Sequence, residues 1–189
     1  MQIETVGIFC GSSTGSNNIY REETIKLADY LAQNGKSLVY GGGTAGLMGV
    51  LAGRMLEKGC RVTGVIPEMI QTKVGHLPLT ETIVTPDMHS RKRKMYDISD
   101  CFIALPGGIG TIEEISEAFT WQQLGYHSKA VSLYNINNFF KYFDSFLEAA
   151  EMAGFIKNVH RSRLIIESEP ARLLEKLESY DGTTIDKWS

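Results

Sequence analysis

The sequence predicts a single-domain α/β fold: a parallel sheet wound in two directions, with helices on both faces. Three observations carry that expectation. Short apolar runs alternate with helical patterns of about 10–15 residues. Glycine supplies 19 of 189 residues, above the usual ~7%, and gathers in turns directly after strands. A chain of 189 residues fits one domain at roughly 150 residues apiece. Residues 1–180 are assigned to that domain and 181–189 to a tail.

The elements follow in order. Val6-Gly7-Ile8-Phe9-Cys10 reads as a strand ending at Gly11. Residues 17–34 read as a helix with Ile25, Leu27, Ala28 and Leu31 on its apolar side and Gly35 as its stop. Ser37-Leu38-Val39-Tyr40 is a second strand, followed by three glycines and a helix over 45–58 closed by Gly59. Residues 61–66 form a third strand ended by Pro67, and 68–80 read as loop. A weaker strand spans 81–85 and a helix 88–99. Residues 101–105 are an unbroken apolar run, the mark of a strand buried on both faces. Helices over 110–124, 137–152 and 169–180 alternate with strands over 130–134 and 164–166.

Composition excludes several classes. With 43% hydrophobic and 22% charged residues, the chain is not of the disordered type. A net charge of −3 argues against a general nucleic-acid binder, which needs basic surface to neutralise phosphate. No stretch approaches the ~20 apolar residues of a membrane span. The first residues, Met1 to Thr5, lack the basic and apolar regions of a signal peptide. Cys10, Cys60 and Cys101 are odd in number, far apart and without a C-x-x-C pair. That pattern points away from a disulfide framework and towards a reduced, cytoplasmic setting. His76, His89, His127 and His160 show no ligand spacing, so no metal is expected.

Ligands of open α/β sheets bind beyond the carboxyl ends of the strands, and three glycine-rich turns lie there. Gly41-Gly42-Gly43-Thr44-Ala45-Gly46 fits G-x-G-x-x-G between a strand and a helix. It follows the second strand, however, and the acid expected about 20 residues later for a ribose is missing. A tight turn or a phosphate site at a helix N-terminus are the other readings. Gly11-Ser12-Ser13-Thr14-Gly15 fits G-x-S-x-G, but only one strand precedes it and no acid–histidine pair follows, which disfavours a serine hydrolase. No G-x-x-x-x-G-K-[ST] motif is present, which disfavours P-loop chemistry.

Pro106-Gly107-Gly108-Ile109-Gly110-Thr111-Ile112-Glu113-Glu114 is the strongest signal. A buried strand enters it and an amphipathic helix leaves it. Glycines let the backbone approach a ligand, and free N–H groups at the helix start favour an anion. At about 100° per residue, Ile112, Ile115 and Phe119 share the sheet-facing side. Glu113 falls outward with Glu117 and Thr120, and Glu114 falls with Ala118, Trp121 and Gly125. A carboxylate on that second face lines a cleft or an interface.

The helix opening at Asp87-Met88-His89-Ser90-Arg91-Lys92-Arg93-Lys94 reads at first as a solvated basic face. Its phase places Arg91 on a stripe with Met88, Met95 and Ile98. An arginine there needs an anionic partner, since burying an unpaired charge is costly. Glu114 or a substrate phosphate would serve. Lys92 flanks the stripe and also reaches towards an anion.

These residues resemble the LOG family of cytokinin-activating phosphoribohydrolases. The P-G-G-x-G-T-x-x-E motif is matched at Pro106 to Glu114, and M-H-x-R-K at Met88, His89, Arg91 and Lys92. The Cys10 to Ser13 turn, the Gly41 to Gly49 segment and Thr120-Trp121 are also similar, so the resemblance covers about residues 6–180. It implies a Rossmann-like fold, a homodimer and no cofactor. It also implies hydrolysis of the N-glycosidic bond of cytokinin riboside 5′-monophosphates, and of AMP, to free base and ribose 5-phosphate. By the same resemblance Arg91 and Glu114 are catalytic. Met88, Lys92, Gly107, Gly108, Ile109, Gly110, Thr111 and Thr120 contact substrate. The Ala118, Trp121 and Gly125 face is expected at the dimer interface. Arg93-Lys94 departs from the family's common Ala-Glu and alters surface charge. The proton donor to the leaving base stays open. Relatives also carry a lysine-decarboxylase label, which needs a Schiff-base lysine and a ring partner that the sequence does not nominate. The alternative function is a nucleotide- or cofactor-binding module without catalysis, similar to molybdenum-cofactor carriers.

Overall fold

The computed structural model describes residues 2–72, 75 and 77–183. His76 and tail residues 184–189 lie outside them. In chain order the elements are β1 (Thr5–Phe9), α1 (Ile19–Gln33), β2 (Ser37–Tyr40), α2 (Gly46–Glu57), β3 (Val62–Pro67), α3 (Glu68–Gln71), β4 (Glu81–Thr85) and α4 (Met88–Ile98). Then come β5 (Cys101–Ala104), α5 (Ile109–Gln123), β6 (Ala130–Tyr134), α6 (Lys141–Met152), α7 (Asn158–Arg161), β7 (Leu164–Glu167) and α8 (Pro170–Glu178).

One sheet runs β4-β3-β2-β1-β5-β6-β7, and every pairing is parallel. This is the Rossmann-like, doubly wound arrangement the alternation predicts. The chain builds from β1 outward to β4, then restarts at β5 on the other side of β1. The winding therefore reverses between β1 and β5, which is where such sheets bind ligands. Phe9 pairs with Ala104 there. Just beyond, Gly11 N–H donates to the Pro106 carbonyl at 3.0 Å and Leu105 N–H to that of Phe9 at 2.9 Å. These bonds hold two of the glycine turns side by side.

The central strands are apolar throughout because helices cover both faces. Leu27, Leu47, Leu51, Leu173 and Leu177 of α1, α2 and α8 bury one face of the sheet. Met95, Ile115, Phe119 and Leu147 of α4, α5 and α6 bury the other.

Two boundaries differ from expectation. Within the presumed 68–80 loop, residues 68–71 wind into the single turn α3. The helix expected from 137 starts at Lys141 instead. Asn137 and Asn138 adopt φ of 50° and 57°, a left-handed conformation that asparagine tolerates but a helix does not. The short α7 was also not anticipated. Among the described residues no helix is long and apolar enough to cross a membrane.

Candidate active site

The Pro106 turn delivers the chain into α5 with Gly108 at the N-cap and no side chain capping the helix. The first-turn N–H groups of Ile109 and Gly110 thus face outward, an anion seat by both donors and dipole. The glycines here have different reasons. A Cβ on Gly107 would lie 2.1 Å from Thr111 Oγ1 and 2.8 Å from Gly11 N, so close packing demands glycine. A Cβ on Gly108 or Gly110 would meet nothing within 4 Å, so those positions border room for a ligand. A cleft of about 260 Å³ lies between this turn and Gly11–Gly15, walled by Tyr20, Leu47 and Phe139. A larger cavity, about 430 Å³, lies beside edge strand β7. Its Arg161 is tied to Asp144 and Glu151, and it lies far from the sheet's reversal point, so the smaller cleft is the candidate for the phosphate end, although neither Arg91 nor Glu114 lines it.

The fingerprint turn after β2 is filled by the chain itself. Leu47 N–H at the start of α2 donates to the Gly11 carbonyl at 3.0 Å. Gly46, at φ +61°, packs so closely that a Cβ would lie 2.2 Å from the Ser12 carbonyl carbon. Gly41 leaves passage for Arg91. The G-x-G-x-x-G spacing therefore serves close packing, with backbone occupying the place a dinucleotide phosphate would need.

Arg91 and Glu114 meet. Arg91 Nη1 lies 2.6 Å from Glu114 Oε1, and both residues are 8% exposed. Arg91 Nε also donates to the Val65 carbonyl at 3.3 Å. Asp87 caps α4 by accepting from Ser90 N–H at 2.7 Å, which starts the helix one turn ahead of Arg91. Of the partners the sequence allows for Arg91, the structure selects Glu114. Burial pushes the Glu114 carboxyl above its ordinary value, and the Arg91 guanidinium opposes this without cancelling it. Beneath the pair, burial and the Glu114 charge push the Cys10 thiol up, which keeps it protonated and unreactive.

Lys92, Glu113, Glu117 and Tyr96 form a second cluster between α4 and α5. Lys92 is 5% exposed. It pairs with Glu113 and, at 3.1 Å, with Glu117 Oε2. Burial pulls its ammonium down, but the two carboxylates outweigh this and leave it raised. The Tyr96 hydroxyl donates to Glu117 Oε2 at 2.7 Å and lies 3.2 Å from the Glu114 carbonyl. Sequence reading missed Tyr96, since an aromatic on a helix reads as core and nothing local announces its hydroxyl partner.

The remaining predicted residues divide. Met88 (40% exposed) and Ile109 (86%) open the two helices that carry the pair. Thr111 is buried beside Gly107. Thr120 stands apart on the exposed side of α5, its hydroxyl donating to the Ser116 carbonyl at 2.7 Å. The face expected at a dimer interface is covered within the chain at Ala118, half-covered at Trp121 and exposed at Gly125. Ala118 is fully buried, and Trp121 packs on Tyr96 at 4.9 Å between centroids because α4 lies across that side of α5. Among the described residues, no group of three or more His, Cys, Asp or Glu could hold a metal ion.

A family model described as "Possible lysine decarboxylase" matches residues 48–177. Curated relatives are closer guides. Cytokinin riboside 5′-monophosphate phosphoribohydrolase LOG5 of Arabidopsis thaliana is 41% identical over 95% of this chain and 79% of its own length. The LOG enzyme of Oryza sativa subsp. japonica is 42% identical over 92% and 72%. Among solved structures, the molybdenum cofactor binding protein of Rippkaea orientalis superposes with a TM-score of 0.70 at 21% identity, covering 95% of this chain and 98% of that one. The molybdenum cofactor carrier protein of Chlamydomonas reinhardtii gives 0.67 at 18%, covering 95% and 100%. At those identities the likeness is one of fold.

Proposed function

This chain belongs to the LOG family of phosphoribohydrolases, and from that membership and the site's geometry we propose that it hydrolyses the N-glycosidic bond of nucleoside 5′-monophosphates. The products are free base and ribose 5-phosphate. AMP and cytokinin riboside 5′-monophosphates are the substrates this reading assigns. The observation that carries it is the buried Arg91–Glu114 pair, 2.6 Å apart, one turn past an uncapped glycine cradle.

The roles follow from charge. Breaking an N-glycosidic bond builds positive charge on the ribose. Glu114 stabilises that charge and orients or deprotonates the attacking water. Arg91 keeps Glu114 ionised, aims it, and polarises the leaving base or the phosphate. Guanidinium is a poor proton donor at neutral pH, so Arg91 acts by electrostatics. The cradle of Gly107, Gly108, Ile109, Gly110 and Thr111 holds the 5′-phosphate. Met88 and Ile109, apolar and exposed at the starts of the two helices that carry the pair, cover the base.

Lys92 is held by two carboxylates and reaches substrate in this reading only by leaving them. Thr120 faces outward, so it contacts substrate only across an interface. A homodimer that brings Thr120 to a second copy's site reconciles its exposure with its place in the motif. The exposed Leu124 and Tyr126 extend an apolar surface beyond it. Light scattering at twice the chain mass is the expected result. The three free cysteines fit a reducing, cytoplasmic setting.

Incubation of purified protein with AMP tests the reading directly. Free adenine is expected by chromatography, and adenosine, lacking the phosphate, should react far more slowly. Tight AMP binding without adenine release would favour the non-catalytic carrier-like module.

A further inference from the structure

Arg91 and Glu114 sit on different helices, so their contact is only as constant as the placement of α4 on α5. Apolar packing between helices resists separation but is weakly directional. Further directional bonds between α4 and α5 lie alongside and beyond this contact. Glu117, three residues past Glu114, receives the Tyr96 hydroxyl at 2.7 Å and approaches Lys92 Nζ at 3.1 Å. Both donors belong to α4. Tyr96 is 3% exposed, and its ring is gripped edge-on by Phe9 and Phe102 and packed by Trp121. Its hydroxyl has little freedom to choose another partner.

We propose that Tyr96 and Glu117 are positioning residues that fix α4 against α5 and so set the Arg91–Glu114 contact. The inference rests on the phosphoribohydrolase reading for its kinetic consequence. It assigns the cluster no contact with substrate. The groups around Glu114 are Arg91, Lys92 and the Tyr96 hydroxyl from α4, Glu113 from its own helix, and Cys10 just past β1. Loosening α4 weakens the cationic side of that set most, so Glu114 should then protonate at a higher pH.

Tyr96→Phe keeps the ring and removes the donor. Because small misplacements near a reacting centre are costly, kcat for AMP should fall about tenfold with KM changed by less than about twofold. The acidic limb of the kcat–pH profile should move to higher pH. Glu117→Ala should do the same, and Glu117→Gln, which still accepts from Tyr96, should restore most of the rate. A carboxyl carbon NMR titration of Glu114, assigned with Glu114→Gln, should show the same upward move in Tyr96→Phe. That titration does not depend on turnover. Wild-type protein that releases no adenine would therefore sink the functional reading while the titration still judged the positioning role. An unmoved Glu114 titration, or a lower kcat with the acidic limb in place, would reduce Tyr96 to packing and overturn the inference.

Discussion

Gly41 is bare where the guanidinium of Arg91 passes: a Cβ there would stand 2.1 Å from Arg91 Nη2. Van der Waals contact needs well over an ångström more, so any side chain must displace Arg91 or shift β2. Gly41→Ala should therefore cost activity out of proportion to stability. Turnover of AMP is expected to fall about 10- to 100-fold through misplacement of the pair. A wild-type rate in that variant would mean Arg91 finds an equivalent seat.

Glu114→Gln preserves shape and removes the charge. Loss of base release by about 10²–10⁴-fold is expected, the range for a group acting on the reacting atoms and their protons, with thermal melting little changed. Arg91→Ala should cripple the reaction as well. It also leaves the buried carboxyl without its counter-ion, and breaking a buried pair costs about 3–5 kcal/mol, so its melting temperature should drop.

In the proposed reaction Glu114 acts as the ionised carboxylate, and burial raises its carboxyl above the ordinary value. Activity should therefore fade on acidification at a pH above that of an unperturbed glutamate, near ~4.3. A kcat/KM profile for AMP checks this. In Arg91→Lys the fade should come at higher pH still, if any activity remains to follow, because a lysine ammonium does not reproduce the guanidinium's fork.

Two glycines should respond in opposite ways. Gly108 has ordinary backbone and open space around it, so Gly108→Val should leave melting unchanged while raising KM for AMP about tenfold or more by intruding on the cradle. Gly46 has φ +61° and abuts the Ser12–Ser13 backbone. Gly46→Ala should destabilise by at least ~1–3 kcal/mol, read from denaturant melts.

His127 supplies an acid-sensitive element of stability. Burial holds it down to about 4, and its neutral form bridges two backbone groups, with Nε2 at 3.0 Å from the Ala118 carbonyl and Lys129 N–H donating to Nδ1 at 3.2 Å. Its folded pKa lies below the unfolded value of ~6.5. The unfolded chain therefore binds more protons in that window, and stability falls as pH drops from about 6.5 to 4. Melting temperatures across that range should decline less steeply in His127→Gln.

Sheet and helices were legible because their signals are local. The unbroken run at 101–105 and the alternation of strand and helix patterns give all seven strands; Asn137 and Asn138 delayed one helix by their left-handed turn, and the four-residue α3 and α7 are too short to show a period. The acid was legible from helical phase, which separates Glu114 from Glu113. The guanidinium was legible from its apolar stripe, though not the choice of its partner. What sequence could not convey was three-dimensional sharing. The G-x-G-x-x-G pattern reports that something approaches closely, and here the visitors are Arg91 and the Ser12–Ser13 backbone. Lys92 was expected to reach an anion, but that its partners are Glu113 and Glu117 was not legible because they lie on α5, over twenty residues away. On the Ala118 side of α5, the packing of Trp121 against Tyr96 was not legible, because α4 is remote in the chain.

Of the helices that start at the two glycine turns after β2 and β5, α2 spends its donors on the Gly11 carbonyl and α5 keeps its own uncapped. Of these two starts, α5 is therefore the one whose first donors stay free for the phosphoryl group of the proposed substrate. On the proposed reading a nucleoside diphosphate should compete poorly with AMP, because the neighbouring turn's donors are already taken by the Gly11 carbonyl.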